Sequence, residues 1–193
     1  MNYFANAGQF LIEIIFGAAI GLLILRVLLQ LVHANFHNPI CQFLYRFTNP
    51  VLLPLRRIIP AWRGLDVAGV LLAWLLTVLK LVIIFAMIGQ SLGLLGLALM
   101  ALADLLGLLL TIYVILIIVR VVLSFVGNGG SYHPAVPLVF GLSEPILKPI
   151  RRLLPTPGGL DLSPIVAWLG IMLVRMLVVQ PLLDIGLRIA KGV

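Results

Sequence analysis

The chain has 193 residues, of which 63% are hydrophobic and only 10% charged, and its mean hydropathy is +1.24. A water-soluble core of this size cannot absorb that much apolar surface, so the composition excludes a soluble globular protein and makes lipid the solvent. The net charge of +7 includes no basic stretch combined with aromatics, which excludes a nucleic-acid surface, and the lone Cys41 excludes an internal disulfide and every multi-cysteine metal motif.

A helix needs about 20 residues to cross a hydrocarbon core of about 30 Å. The first apolar run that meets this length extends from about Phe10 to Val32. It has no basic region before it, is too long for a signal-peptide core and lacks a small-x-small cleavage site, so it is predicted to be a retained span. After it, Asn38-Pro39 forms a helix start, with asparagine as N-cap and proline at the first helical position. Ile40, Phe43, Leu44 and Phe47 then fall on one helical face, which predicts a short amphipathic helix in the headgroup region. From Pro50 to Asp66 the chain reads PVLLPLRRIIPAWRGLD. Prolines four apart lack N–H donors and restrict the residue before them. A continuous helix is therefore predicted to stop here, leaving a rigid hairpin bracketed by Pro50, Pro54 and Pro60. Asp66 opens the second span, about Val67 to Gln90, as an acidic residue suited to a helix N-terminus.

The stretch Ser91 to Leu102 is open to two readings, a re-entrant turn or an extension of a neighbouring helix. The third span is predicted at about Ala103 to Phe125. A second loop opens with His133-Pro134, with a pattern broken by Pro137 and Gly141. From Pro145 to Asp161 it reads PILKPIRRLLPTPGGLD, and a fourth span follows from about Leu162 to Leu183. The two motifs lie 95 positions apart and agree at nine positions, including Pro50/Pro145, Pro54/Pro149, Arg56/Arg151, Arg57/Arg152, Pro60/Pro155 and Asp66/Asp161. The chain is therefore two versions of one unit, 1–98 and 99–193, each with two spans. An even number of spans per unit makes the repeats parallel, which weighs against an alternating-access carrier built from inverted repeats.

Arg46, Arg56, Arg57 and Arg63 lie between the first two spans, and Lys148, Arg151 and Arg152 between the last two. The middle connection has no Lys or Arg. Basic residues stay on the cytoplasmic side, so the motif loops are predicted to be cytoplasmic and the termini opposite, against the minor contrary signal of Arg188 and Lys191. The Arg pairs have two readings: a topological mark that touches lipid phosphate, or a specific site for an anionic headgroup or acidic partner segment. Charges inside spans are costly in lipid and are paired or functional. Arg26 with Asp66 and Arg120 with Asp161 are predicted as two equivalent pairs. Lys80 and Arg175, matched at the repeat offset, have Glu13 and Asp104 as available counter-ions. Gly17, Ala18, Gly21, Gly107, Gly170 and Gly186 would permit close helix packing. His33, His37 and His133 are unmatched between the units, and no metal, cofactor or catalytic motif is present.

The doubled N/E-P-x-x-x-P-x-R-R-x-x-P motif followed by G-L-D, set between paired apolar spans, resembles the YggT family of small integral membrane proteins across the whole chain. The resemblance implies a multi-pass protein of the bacterial inner membrane without a defining enzymatic activity. In bacterial relatives it implies links to osmotic or ionic stress tolerance and to division and envelope organisation. In plastid relatives it implies links to cytochrome bf assembly and nucleoid distribution. The combined expectation is an all-α integral membrane protein of four spans in two tandem parallel repeats. Its role would be that of a non-enzymatic assembly or organising factor. Its partners would be anionic phospholipid and a membrane protein or further copies of itself, with no nucleic acid and no cofactor. The competing reading is a small ion-conducting or ion-regulating protein with Lys80 and Arg175 facing an axial cavity.

Overall fold

The computed structural model describes residues 3–60, 64–126, 133–154 and 161–192, and every regular element among them is helical. In chain order these are α1 (Tyr3–Leu31), α2 (Pro39–Ile58), α3 (Val67–Met87), α4 (Leu94–Val126), α5 (Ala135–Leu153), α6 (Ser163–Val174), a π-helical turn (Arg175–Val179) and α7 (Gln180–Lys191). Four helices are long and apolar enough to cross a membrane: α1, α3, α4 and the continuous rod from Ser163 to Lys191. The chain is a multi-pass, all-helical membrane protein.

The repeat is visible in how each unit packs. In the first, α1 and α3 run antiparallel, with Gly8 against Met87 at one end and Val27 against Gly69 at the other. In the second, α4 pairs in the same way with the fourth span: Gly107 meets Val179 and Gly186 meets Met100. At the end of this second hairpin the Gly93 N–H donates to the Ala190 carbonyl at 2.8 Å. A Cβ on Gly96 would stand 2.2 Å from the Ala190 nitrogen, so glycine there allows near backbone contact. Residues 91–102 are accordingly a helical extension: α4 begins at Leu94, after a turn at Gly89, whose φ of +70° suits glycine. The fourth span also outlasts its predicted end at Leu183, because the additional turns to Lys191 pack on the additional N-terminal turn of α4. Of the small residues expected at helix contacts, Gly186 and Gly107 serve that role, whereas Gly17, Gly21 and Gly170 face open space.

One local expectation is overturned. The first motif does not form a proline-broken hairpin; α2 runs unbroken through Pro50 and Pro54, and α5 through Pro145 and Pro149. Prolines four apart stack on a single helical face, and all four are exposed. The carbonyls they leave without donors therefore open outward rather than into a core, and the buried face holds the helix together. Pro137 costs nothing, because it lies in the first turn of α5, where N–H groups have no intrahelical acceptor. What stops α2 is Pro60, which holds Ile59 extended at φ −116° and ψ 101°. Leu154 is likewise extended ahead of Pro155, which itself lies outside the described residues.

The amphipathic helices are thus 20 and 19 residues long, running on through the repeated motif instead of ending before it. Cys41, Leu44, Thr48 and Leu52 form the face of α2 that is buried against the bundle, while Phe43, Phe47 and Val51 form an exposed apolar stripe beside it. The single face expected for Ile40, Phe43, Leu44 and Phe47 is therefore split between core and surroundings.

Candidate functional site: two arginine clamps at the motif ends

Each amphipathic helix is fastened to its unit by arginines, and the two fastenings correspond almost atom for atom. In the first unit Arg26, on α1, is fully buried. Its guanidinium lies 4.4 Å from the Tyr45 ring centroid and donates to the Thr48 hydroxyl and to Asn49 Oδ1 at 2.7 Å. In the second unit Arg120, on α4, lies 4.6 Å from the Phe140 ring. It donates to Ser143 Oγ at 2.8 Å and pairs with Glu144 at 2.8 Å. Tyr45, Thr48 and Asn49 precede Phe140, Ser143 and Glu144 by the repeat offset of 95. Both hydroxyls also donate one turn back, to Leu44 and Val139 carbonyls. Burial pushes the Tyr45 hydroxyl above its ordinary pKa, outweighing the opposing pull of the Arg26 and Arg56 charges.

The aspartates are held by a different arginine from the one expected. Arg56 pairs with Asp66 and Arg151 with Asp161 at 2.9 Å. The predicted pairs Arg26–Asp66 and Arg120–Asp161 do not form. The reason is geometric: Arg26 and Arg120 lie beneath the amphipathic helices and meet their flanks. Arg56 and Arg151 leave the last turns of those helices, next to where the following span begins. Asp66 caps that span by accepting from the Gly69 N–H at 3.1 Å, so one carboxylate ties a helix end to a helix start. Asp161 does the same through the Ser163 N–H at 3.0 Å. Burial raises the Asp161 pKa, but the Ser163 and Arg151 hydrogen bonds outweigh it and leave the carboxyl below its ordinary value. Gln30 completes the first clamp by accepting from Arg56 at 3.0 Å and donating to the Gly64 carbonyl at 3.3 Å.

The units differ at one position that matters electrostatically. Glu144 bridges Arg120 and Arg151, so the second clamp holds two arginines and two carboxylates. Its counterpart is the neutral Asn49. The first clamp therefore carries one uncompensated positive charge, and the Nε of Arg26 is buried with no partner. The other arginine of each pair, Arg57 and Arg152, is exposed. Each Arg-Arg dipeptide thus divides its work between an inward anchor and an outward charge.

Within the spans, Lys80 pairs with Asp104. Arg175 donates to the Gly107 carbonyl at 3.2 Å and to Thr111 Oγ1 at 2.5 Å. Glu13 accepts from Gln9 at 2.9 Å and meets neither cation. Three grooves among the described residues, of about 610, 400 and 240 Å³, are lined by neither Lys80 nor Arg175. Burial pushes the Cys41 thiol up, as suits a packing residue. Among the described residues no three His, Cys, Asp or Glu side chains gather into a metal-binding group. Gln30, Tyr45, Thr48, Phe140 and Ser143 were not singled out from sequence, and Asn49 and Glu144 only as the first residue of the repeated motif. The matched Tyr/Phe and Thr/Ser pairs at offset 95 were the available signal, as was the ten-residue Arg-to-Asp spacing inside each motif.

Comparison with known proteins places this architecture. The CCB3/YggT family profile matches residues 5–87 and again 99–182, once for each unit. An uncharacterized protein of Pseudomonas aeruginosa is 42% identical over 163 residues, covering 83% of this chain and 82% of the relative. A Vibrio alginolyticus protein named for its position in the 3' region of proC is 41% identical over 177 residues, covering 89% and 93%. The uncharacterized YggT of Escherichia coli K12 is 34% identical over 190 residues, 97% of each chain. No solved structure matches. With two tandem copies of the profile and relatives aligned over nearly its whole length, the chain belongs to the CCB3/YggT family.

Proposed function

We propose that the protein is a non-enzymatic organising factor of the bacterial inner membrane. Its two amphipathic helices lie in the cytoplasmic leaflet, where they engage anionic lipid and a partner membrane protein. The observation that carries this reading is the duplicated clamp. In each unit the span arginine (Arg26 or Arg120) and the inward member of the Arg pair are consumed in fixing an amphipathic helix against its spans. Arg57 or Arg152 is left facing outward. A side chain held by this many bonds is built to position a surface. The exposed Phe43, Phe47 and Val51 stripe is suited to the acyl boundary, and the outward arginines to headgroup phosphates. The cytoplasmic placement follows from the bias of Lys and Arg toward the motif loops. Links to osmotic or ionic stress enter through the family resemblance, as consequences of the membrane proteins such a factor would organise.

The ion-conducting alternative requires Lys80 and Arg175 to line a wetted path. The Lys80–Asp104 pair and the backbone and hydroxyl bonds of Arg175 speak against it. The test has two arms. Purified protein in liposomes should give no ion flux above empty liposomes under any gradient. Flux that changes in a Lys80→Ala/Arg175→Ala variant would overturn the proposal in favour of transport. In cells, a photo-crosslinking residue in place of Phe47 should capture a discrete membrane protein. Labelling of lipid alone would remove the partner from the reading.

A further inference from the structure

Outside the clamps, five charged side chains lie more than a turn from either end of the membrane-length helices: Glu13, Lys80, Asp104, Arg175 and Asp184. Asp184 lies nine residues, about 13.5 Å, beyond Arg175 on the same rod and so far from its depth. Of these, only Lys80 and Asp104 neutralise each other among the described residues. Glu13 is exposed and accepts only from a neighbouring amide on its own helix. Both hydrogen bonds of Arg175 leave from Nη2 and go to neutral acceptors. Among the described residues Nε and Nη1 meet no acceptor and no carboxylate pairs with the guanidinium. An isolated carboxylate and an isolated guanidinium in lipid are both costly. The two do not meet within one chain: the Arg175 segment packs chiefly on α4, α6 and α7, whereas α1 packs chiefly on α2, α3, α4 and α5, and no bond joins Glu13 to Arg175.

They do lie at nearly the same depth. Arg175 is level with Thr111 on α4, which it contacts. One repeat earlier, Thr111 corresponds to Phe16 on α1, and Glu13 is three residues, about 4.5 Å, farther along that helix. Parallel repeats put corresponding residues at equal depth, so the two unpaired charges share a layer of the membrane. The surfaces around them are open and apolar: Phe10, Ile14 and Ile15 beside Glu13, and Met176 and Leu177 beside Arg175. Lipid tails cover such surfaces as well as protein does, so area alone gives no reason for association and the charges decide. Arg175 also opens the π-helical turn, where its carbonyl accepts from Gln180 five residues on. Single π turns inside helices concentrate at functional positions.

We propose that a second copy of this chain, inserted in the same sense, supplies the missing counter-ion, with Glu13 of one copy pairing with Arg175 of the next. The contact joins unlike faces, so it is heterologous and closes into a ring or extends as a row. It is independent of the role proposed above, because neither residue lies on an amphipathic helix. The test is the number of copies per particle, counted by single-molecule photobleaching of labelled protein at low density in phosphatidylcholine–phosphatidylglycerol vesicles. Wild-type protein should form multi-copy particles. Glu13→Gln should raise the apparent dissociation constant by about tenfold, and Glu13→Arg should give single copies. The double variant Glu13→Arg/Arg175→Glu should recover multi-copy particles. Both Glu13 variants alter only a lipid-facing side chain, so they decide the matter even where Arg175→Glu impairs folding. Wild-type protein that remains single at every density would overturn the proposal. So would particles unchanged in both Glu13 variants, or a double variant that melts like wild type yet stays single.

Discussion

Exchanging Asn49 and Glu144 between the units should move stability in opposite directions. In the second clamp, Arg120 and Glu144 meet at 2.8 Å with side chains 11% and 41% exposed. Unit charges about 4 Å apart attract by about 4 kcal/mol at an effective dielectric near 20. The open side of Glu144 screens much of this, because exposed pairs contribute about 0–1 kcal/mol. A net contribution of about 1–2 kcal/mol is therefore expected, and Glu144→Gln should remove it. In the first clamp, Arg26 is 0% exposed with an unpartnered Nε and no carboxylate. Asn49→Glu would place a carboxylate where the second unit already tolerates one, ahead of a helical proline, and should add a similar amount. For a chain of this length each kcal/mol shifts the melting temperature by about 2–4 °C. The expected shifts are thus about 2–8 °C downward for Glu144→Gln and about 2–8 °C upward for Asn49→Glu, measured in identical nanodiscs. The double variant should melt near wild type. An Asn49→Glu protein that melts below wild type, or a neutral Glu144→Gln, would refute the claim that residual charge distinguishes the two clamps.

Two other perturbations address the fold. A side chain on Gly96 would collide with the Ala190 backbone at 2.2–2.4 Å, so Gly96→Ala should cost about 1–3 kcal/mol. Gly141→Ala, on an exposed helix face with nothing within 4 Å, should be neutral or stabilising by about 0.5–1 kcal/mol; equal melting temperatures for the two would contradict the close α4–α7 contact. The depressed Asp161 pKa predicts a stability contribution that is complete above the unfolded value of about 3.9 and is lost as pH falls through the lower folded value. Asp161→Asn should abolish that component of the acid unfolding profile while leaving the neutral-pH profile flat.

The architecture was legible because lipid imposes it. Long apolar runs have one stable solution, and a rare motif repeated at fixed offset declares the tandem design. Helix ends were less legible: the α4 extension depends on Gly96 and Gly186 approaching each other across the bundle, which no local signal reveals. The continuity of α2 through Pro50 and Pro54 was misjudged because proline's local cost is fixed. Whether that cost is borne depends on which face the freed carbonyls take. The Arg26–Asp66 pairing failed because equal depth does not give contact. Asp66 needed to lie at a helix start, and only Arg56, ten residues earlier, could reach it from a helix end.

The split of each Arg-Arg pair explains why the motif keeps both residues and both flanking prolines. An amphipathic helix joined to a membrane-length span needs its last turn fixed at the junction. Arg56 and Arg151 provide this through Asp66 and Asp161. The next position along the same turn points away from the span, so its charge falls on the outer side of the junction. Pro60 and the extended Ile59 before it then end the helix two residues past Arg57, so that the chain turns back to Asp66 at the start of the next span. Relaxing any of these constraints would leave the charges present but their directions undefined. A chain that keeps the arrangement in two copies, and departs from it only in the net charge of the clamp, has preserved the geometry while freeing the electrostatics to differ between its halves.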